Sequence, residues 1–155
     1  MTREIAWVLL TTISPIFELR GGMWLGIVEY KLDPLFVFFI AIIANALIFF
    51  PVFFALRLFY DKLLFRIPLF DKYLDNLRKR GKPKVEKYGF WGLTLFVAIP
   101  LPITGAYTGT ILAWLLGMDW RKAFPAVGLG VIVAGVVVLL ITCLLYTSPS
   151  PRDRS

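Results

Sequence analysis

Ser14-Pro15-Ile16-Phe17-Glu18-Leu19-Arg20-Gly21-Gly22 sets a carboxylate and a guanidinium two positions apart inside a stretch, Ile5–Val28, that is otherwise apolar. In hydrocarbon each such charge costs about 2.5–3.5 kcal/mol on insertion scales, so ionisable residues at that depth are by default candidates for function. Glu18 there could exchange protons, its affinity for them raised by loss of water or lowered by Arg20. Arg20 could bind an anion, with amide groups of a half-helix beginning near Gly21 adding partial positive charge. The structural alternative is that the two residues pair beside a chain break, or that the break is shallow enough for both to reach water. Side chains at i and i+2 do not face each other on a regular helix, so direct pairing needs the irregular backbone that Pro15, Gly21 and Gly22 allow.

A second candidate wall lies in Ile99-Pro100-Leu101-Pro102-Ile103-Thr104-Gly105-Ala106-Tyr107-Thr108-Gly109. Pro100 and Pro102 delete two backbone donors and break any helix, and the hydroxyls of Thr104, Tyr107 and Thr108 beside the freed carbonyls could line a hydrated cavity. The small residues Gly105 and Gly109 equally suit a packing face that lets two helices approach. Asn45, alone in a long apolar run, either donates a hydrogen bond between helices or lines a cavity, the first being the simpler reading. Other chemistry is excluded by what is missing. The chain has no His, one Cys, no Gly-x-Ser-x-Gly elbow and no Asp inside an apolar segment, so an enzyme is not expected, and neither a metal nor a cofactor.

The elements that must position these residues are set by composition. Of 155 residues 59% are apolar and 17% charged, with 14 Phe and 5 Trp and a mean hydropathy of +0.77, beyond what a soluble domain of this size can bury. Four apolar segments approach the length that crosses a bilayer: Ile5–Val28, Leu35–Phe59, Phe90–Met118 and Ala123–Thr142. The second and fourth read as plain spans, with a kink expected at Pro51. The first and third are broken. Broken segment followed by plain span therefore occurs twice, and Gly22 and Gly26 recur as Gly105 and Gly109. If each broken segment is a hairpin that leaves by the side it entered, the two units have inverted topology. The expected fold is an all-α integral membrane protein of two inverted units, each a broken or re-entrant helical hairpin plus a transmembrane helix. In domain terms this is one polytopic domain over 1–142, with repeats at 4–60 and 88–142 and a linker at 61–87.

The formal net charge is +7, and ten basic against four acidic residues fall between Arg57 and Lys87. Flanked by bilayer-length runs, that cluster reads as a cytoplasmic loop under the positive-inside rule and not as a nucleic-acid surface. The hairpin arrangement also places Arg121 and Lys122 on that side, where four straight spans would not. Within the linker, Phe70, Tyr73, Leu74 and Leu77 share one helical face, and Gly81 with Pro83 predicts the stop. Such a basic amphipathic helix is expected to lie on the membrane surface against anionic headgroups. After Thr142 or Cys143 the composition turns abruptly to Ser, Pro and Arg, and residues 143–155 resemble translated sequencing-adapter sequence, to be excluded from fold reasoning.

The Glu-Leu-Arg-Gly-Gly motif at 18–22, Lys87-Tyr88-Gly89-Phe90-Trp91-Gly92 and Ala98–Gly109 together resemble the prokaryotic small multi-drug export protein family, and the likeness runs over 3–142. That family is in turn similar to the DedA, or SNARE-associated, membrane proteins, whose two facing re-entrant hairpins are linked to proton-dependent lipid-carrier transport. Where DedA proteins carry arginines around the second-hairpin proline, this chain has Phe96, Val97, Ile99 and Thr104. The resemblance implies a small transporter in the cytoplasmic membrane, moving a small-molecule or lipid substrate among membrane lipids. Its substrate would meet Glu18, Arg20, Gly21, Gly22, Pro100, Pro102, Thr104, Gly105, Tyr107 and Thr108 where the hairpins face each other, with protons exchanged on Glu18. A proton-dependent flippase of a polyprenyl-phosphate or phospholipid and a non-transporting scaffold are the alternatives. A homodimer along the Gly109 or the Gly128, Gly130 and Gly135 faces is a further expectation.

Overall fold

The computed structural model describes residues 1–60, 62, 68–99 and 105–147, and at 81, 84 and 147 the backbone alone. Every regular element among them is helical. The chain divides into two compact units, Met1–Ala44 with Gly135–Ser155, and Asn45–Ala134.

The first unit opens on α1 (Thr2–Ile13), α2 (Glu18–Trp24), a π-helical turn (Leu25–Glu29) and the start of α3 (Pro34–Leu47). Pro15 ends α1: Ser14 sits at φ −61°, ψ 130°, the extended region to which a residue before proline is driven. The chain then reverses and α2 runs back along α1. Two glycines let it lie close, because a Cβ at Gly22 would collide with the Thr12 hydroxyl and come within 3.0 Å of the Val8 carbonyl, and one at Gly26 within 3.1 Å of the Val8 side chain. Asp33 caps the start of α3, its Oδ1 accepting from the Phe36 N–H at 2.9 Å. Val37 of α3 fills the notch at Gly26, and Gly135 presses on Ile42 and Phe38.

The second unit holds α4 (Phe49–Phe59), α5 (Pro68–Tyr88), α6 (Phe90–Ala98), α7 (Ala106–Leu115) and the start of α8 (Trp120–Thr147). The break between α3 and α4 falls at Ile48. Pro51 explains the position: it has no N–H for the Leu47 carbonyl four residues back, and its ring crowds that carbonyl. Pro34–Phe59 nevertheless forms an apolar stretch of 26 residues with mean hydropathy 2.7, and Trp120–Tyr146 one of 27 with 2.9, each long and apolar enough to cross a bilayer.

Side-chain contacts fix the relative directions of α4, α6, α7 and α8. Phe50 meets Phe124 with ring centroids 4.7 Å apart and Phe54 meets Trp120 at 6.3 Å, so α8 starts near the linker end of α4 and runs antiparallel to it. The Thr94 hydroxyl lies 3.1 Å from the Ala126 carbonyl, and Gly130 receives Val97, so α6 runs parallel to α8 and away from the linker. The Trp114 ring lies 4.7 Å from that of Tyr60, so α7 comes back. The α6–α7 hairpin thus begins and ends at the linker end of the unit, where Arg121 and Lys122 also sit. The return is sealed by Gly117 at φ 69°, whose N–H donates to Trp114 while that of Met118 donates to Ala113. That 5→2 and 6→1 pair is a Schellman cap, which needs a glycine at the left-handed position.

One expectation is corrected here. The linker helix does not stop at Gly81; α5 continues through Pro83 to Tyr88. Leu74, Leu77 and Val85 are buried on one stripe, so tertiary packing carries the helix past its local stop signal. The carbonyl that Pro83 leaves without a donor belongs to Lys79, on the exposed side where water can reach it. α5 packs on α6 and α7 of the same unit, and of the expected apolar face Leu74 and Leu77 are buried while Phe70 is half-buried and Tyr73 exposed. Three of the glycines offered for dimerisation make contacts within the chain, Gly109 and Gly130 admitting Val97 and Gly135 admitting Ile42, while Gly128 faces open space.

These notches make a paired prediction. At Gly130 a Cβ would sit 2.6 Å from Val97 and 2.8 Å from the Thr94 carbonyl, whereas at Gly128 it would meet nothing within 4 Å. Gly130→Ala is expected to destabilise the protein by about 1–3 kcal/mol through overpacking. Gly128→Ala is expected to be neutral or to stabilise by up to about 1 kcal/mol through helix propensity. Thermal unfolding in detergent, followed by circular dichroism, checks both.

Candidate functional site

In the first unit the bend between α1 and α2 carries Glu18. Its N–H donates to the Ser14 carbonyl at 2.9 Å, and its backbone stands at φ 50°, in the left-handed region. For a residue with a Cβ that conformation costs roughly 1–2 kcal/mol. Strain of this kind persists where surrounding structure over-determines it, and it clusters at functional sites. The tip of the bend is apolar and exposed, Ile16 by 81% and Phe17 by 58%, while Leu19 is buried between the half-buried Glu18 and Arg20.

The half-helix begins at Glu18 and not near Gly21, because a single left-handed residue completes the reversal and frees the chain to turn helical at once. The Gly21 N–H therefore donates along the helix to the Phe17 carbonyl at 3.2 Å and is not on offer to an anion. Gly21 and Gly22 act as packing surface. A Cβ on the first would lie 3.1 Å from the Thr11 side chain, and one on the second would strike Thr12.

The break in the second unit repeats the proline device. Ile99 is extended, at φ −71°, ψ 117°, before Pro100. Pro100, Pro102 and Thr104 lie outside the described residues. Gly105 is the N-cap of α7, and Thr108 completes it: its hydroxyl accepts from the Gly105 N–H at 2.8 Å and lies 3.2 Å from the Gly105 carbonyl. That hydroxyl closes the first turn, as Thr110 does one step on by donating to the Ala106 carbonyl at 2.5 Å. Half-buried Tyr107 lines a groove of about 500 Å³ together with Ile48, Pro51, Val52, Ala55, Leu56 and Phe59 of α4. The groove was legible only as small residues, Pro51 and Ala55, recurring among the phenylalanines of α4.

Asn45 is 1% exposed, and its Nδ2 has no hydrogen-bond partner among the described residues, contrary to the interhelical bond expected of it. The interhelical bond in this unit comes from Thr94, a residue that sequence reasoning passed over because a threonine in an apolar helix normally satisfies itself on its own backbone. Thr94 does that too, lying 3.1 Å from the Phe90 carbonyl.

Residues 18–137 match a family described as "Putative small multi-drug export protein". The matched stretch runs from Glu18, where α2 begins, through the second break and into α8. Nothing among curated proteins or solved structures matches the chain. With most of its length matched, and two helices long and apolar enough to cross a bilayer, the chain belongs to the small multi-drug export family of membrane proteins.

Proposed function

We propose that the protein exports small molecules across the cytoplasmic membrane of a prokaryote, with proton exchange on Glu18 coupled to substrate movement and the basic linker on the cytoplasmic side. The observation that carries this is an ionisable side chain held in a left-handed conformation at the bend of a helical hairpin. The arms of the hairpins are short: α1 has 12 residues, α6 has 9 and α7 has 10. At 1.5 Å per residue they reach about 14–18 Å, roughly half of a 30 Å hydrocarbon layer, which suits re-entry better than crossing. With two re-entrant hairpins, each followed by a span, the sequence repeats 4–60 and 88–142 have inverted topology. Glu18 then sits near the midplane beside the anion-binding Arg20, where it passes between its protonated and charged forms. Alternation between those forms is the coupling step. Gly105 and Thr108 hold the start of α7 in shape, and Pro100, Pro102, Thr104 and Tyr107 belong to the same substrate-facing segment.

Efflux of a fluorescent cationic dye from proteoliposomes tests the coupling. Glu18→Gln is expected to reduce the pH-gradient-driven component to the level of empty vesicles, and undiminished gradient-driven efflux by that variant would sink the role assigned to Glu18. Glu18→Gly separates transport from scaffolding. Relief of the left-handed conformation should raise stability by about 1 kcal/mol while efflux is still lost; a structural carboxylate would give a less stable protein with no change in flux.

Access to the bends is checked by single cysteines at positions 18, 20, 105 and 107, placed in a background where Cys143, the one native cysteine, is serine. A membrane-impermeant maleimide is expected to label both segments. Uniform protection of all four positions refutes a water-filled pathway.

A further inference from the structure

We propose that the groove along α4 is a binding site for one acyl chain of an anionic bilayer lipid, whose headgroup is held by Lys62. The groove follows from the sequence of α4. Phenylalanine occupies positions 49, 50, 53, 54 and 59, yet the stripe Ile48, Pro51, Val52, Ala55 carries shorter side chains, and α7 passes beside it with Tyr107. Ile48 and Leu56 are buried and form the floor, while Pro51, Ala55 and Phe59 are exposed and form the rim. From Ile48 to Phe59 the stripe extends about 16 Å along the helix. A volume of about 500 Å³ suits a small ligand or one lipid chain, within the roughly 300–1,000 Å³ usual for such sites. The groove opens sideways from a helix apolar enough to span a bilayer, so the medium that meets it is lipid.

The charge lies at one end. The Lys62 N–H donates to the Phe59 carbonyl at 3.2 Å, so the chain makes one more turn below the groove. Lys62 falls three residues past Phe59 and seven past Ala55, on the groove's own face, and is exposed. Arg57, by contrast, projects from the opposite face of α4. This is the linker end of the unit, where Tyr60 meets Trp114 and Arg121 lies 5.6 Å from the Trp120 ring, an aromatic and cationic set typical of headgroup depth. A lipid with its chain toward Ile48 therefore brings its phosphate to Lys62. The site shares Tyr107 with the substrate-facing segment proposed above and does not include Glu18.

The test uses the full-length protein in detergent and native mass spectrometry with added phosphatidylglycerol or phosphatidylcholine of identical acyl chains. Wild type is expected to retain one phosphatidylglycerol in preference to phosphatidylcholine. Ala55→Phe, which fills the exposed middle of the groove, should lower retention of both lipids by about tenfold or more. Lys62→Ala should lower phosphatidylglycerol retention alone, by about fivefold. Glu18→Gln should bind as wild type does, so a failure of the coupling role leaves this result untouched. Equal retention of the two lipids by wild type, or unaltered retention by Ala55→Phe, overturns the site. So does a protein dimer without bound lipid that Ala55→Phe dissolves, since the groove would then hold a second copy. If Ala55→Phe does not fold, Lys62→Ala still decides, because its position carries no packing: an unchanged preference for phosphatidylglycerol overturns the proposal.

Discussion

A helix that stops leaves its last carbonyls without donors from a following turn, and much of this architecture turns on how two such stops are managed. At each the chain uses the same device. A proline forces its predecessor, Ser14 in one unit and Ile99 in the other, into extended backbone, and a second short helix begins a few residues later. The ends are closed by local means: Ser14 and Glu18 bond back into the bend, and Thr108 completes the cap at Gly105. The cost is a left-handed glutamate at one bend. Its placement on the only charged motif within the apolar segments is what joins the fold to the transport reading.

Once the chain has reversed, close packing of the two arms depends on glycine. Helix pairs in lipid gain no hydrophobic advantage over contact with the solvent, so they must gain from tight van der Waals fit. Gly22 and Gly26 provide it in the first unit, and Gly109 and Gly130 in the second. Thr94 adds the hydrogen bond that binds α6 to α8. Aromatic stacking does the equivalent work for α4 and α8, with Phe49, Phe50 and Phe54 set against Phe124 and Trp120.

Much of this could be read from the residues in order. Proline effects are local and act on the adjacent peptide, so the breaks at Ser14 and Ile99 and the interruption before Pro51 were all legible. The long apolar runs were legible for the same kind of reason, since length and polarity are properties of the segment itself. The continuation of α5 past Gly81 and Pro83 was not, because Val85 is buried by helices distant in sequence. The partner of Gly109 and Gly130 was hidden on similar grounds: a small residue announces a close neighbour without saying whose. At the candidate site, the motif at Glu18 was visible, but the starting point of α2 depended on one dihedral angle. The capping role of Thr108 depended on which of two short-range bonds its hydroxyl would make.

Val97 touches both Gly109 of α7 and Gly130 of α8, so one branched side chain is held in two sockets at once. Sliding α6 against either neighbour would require lifting Val97 from both. The three helices consequently form one mechanical body, and any rearrangement of this unit must be taken up outside it. Gly89, left-handed and with open space where a side chain would be, is the joint at which that body meets α5, while Gly117 turns the chain within it.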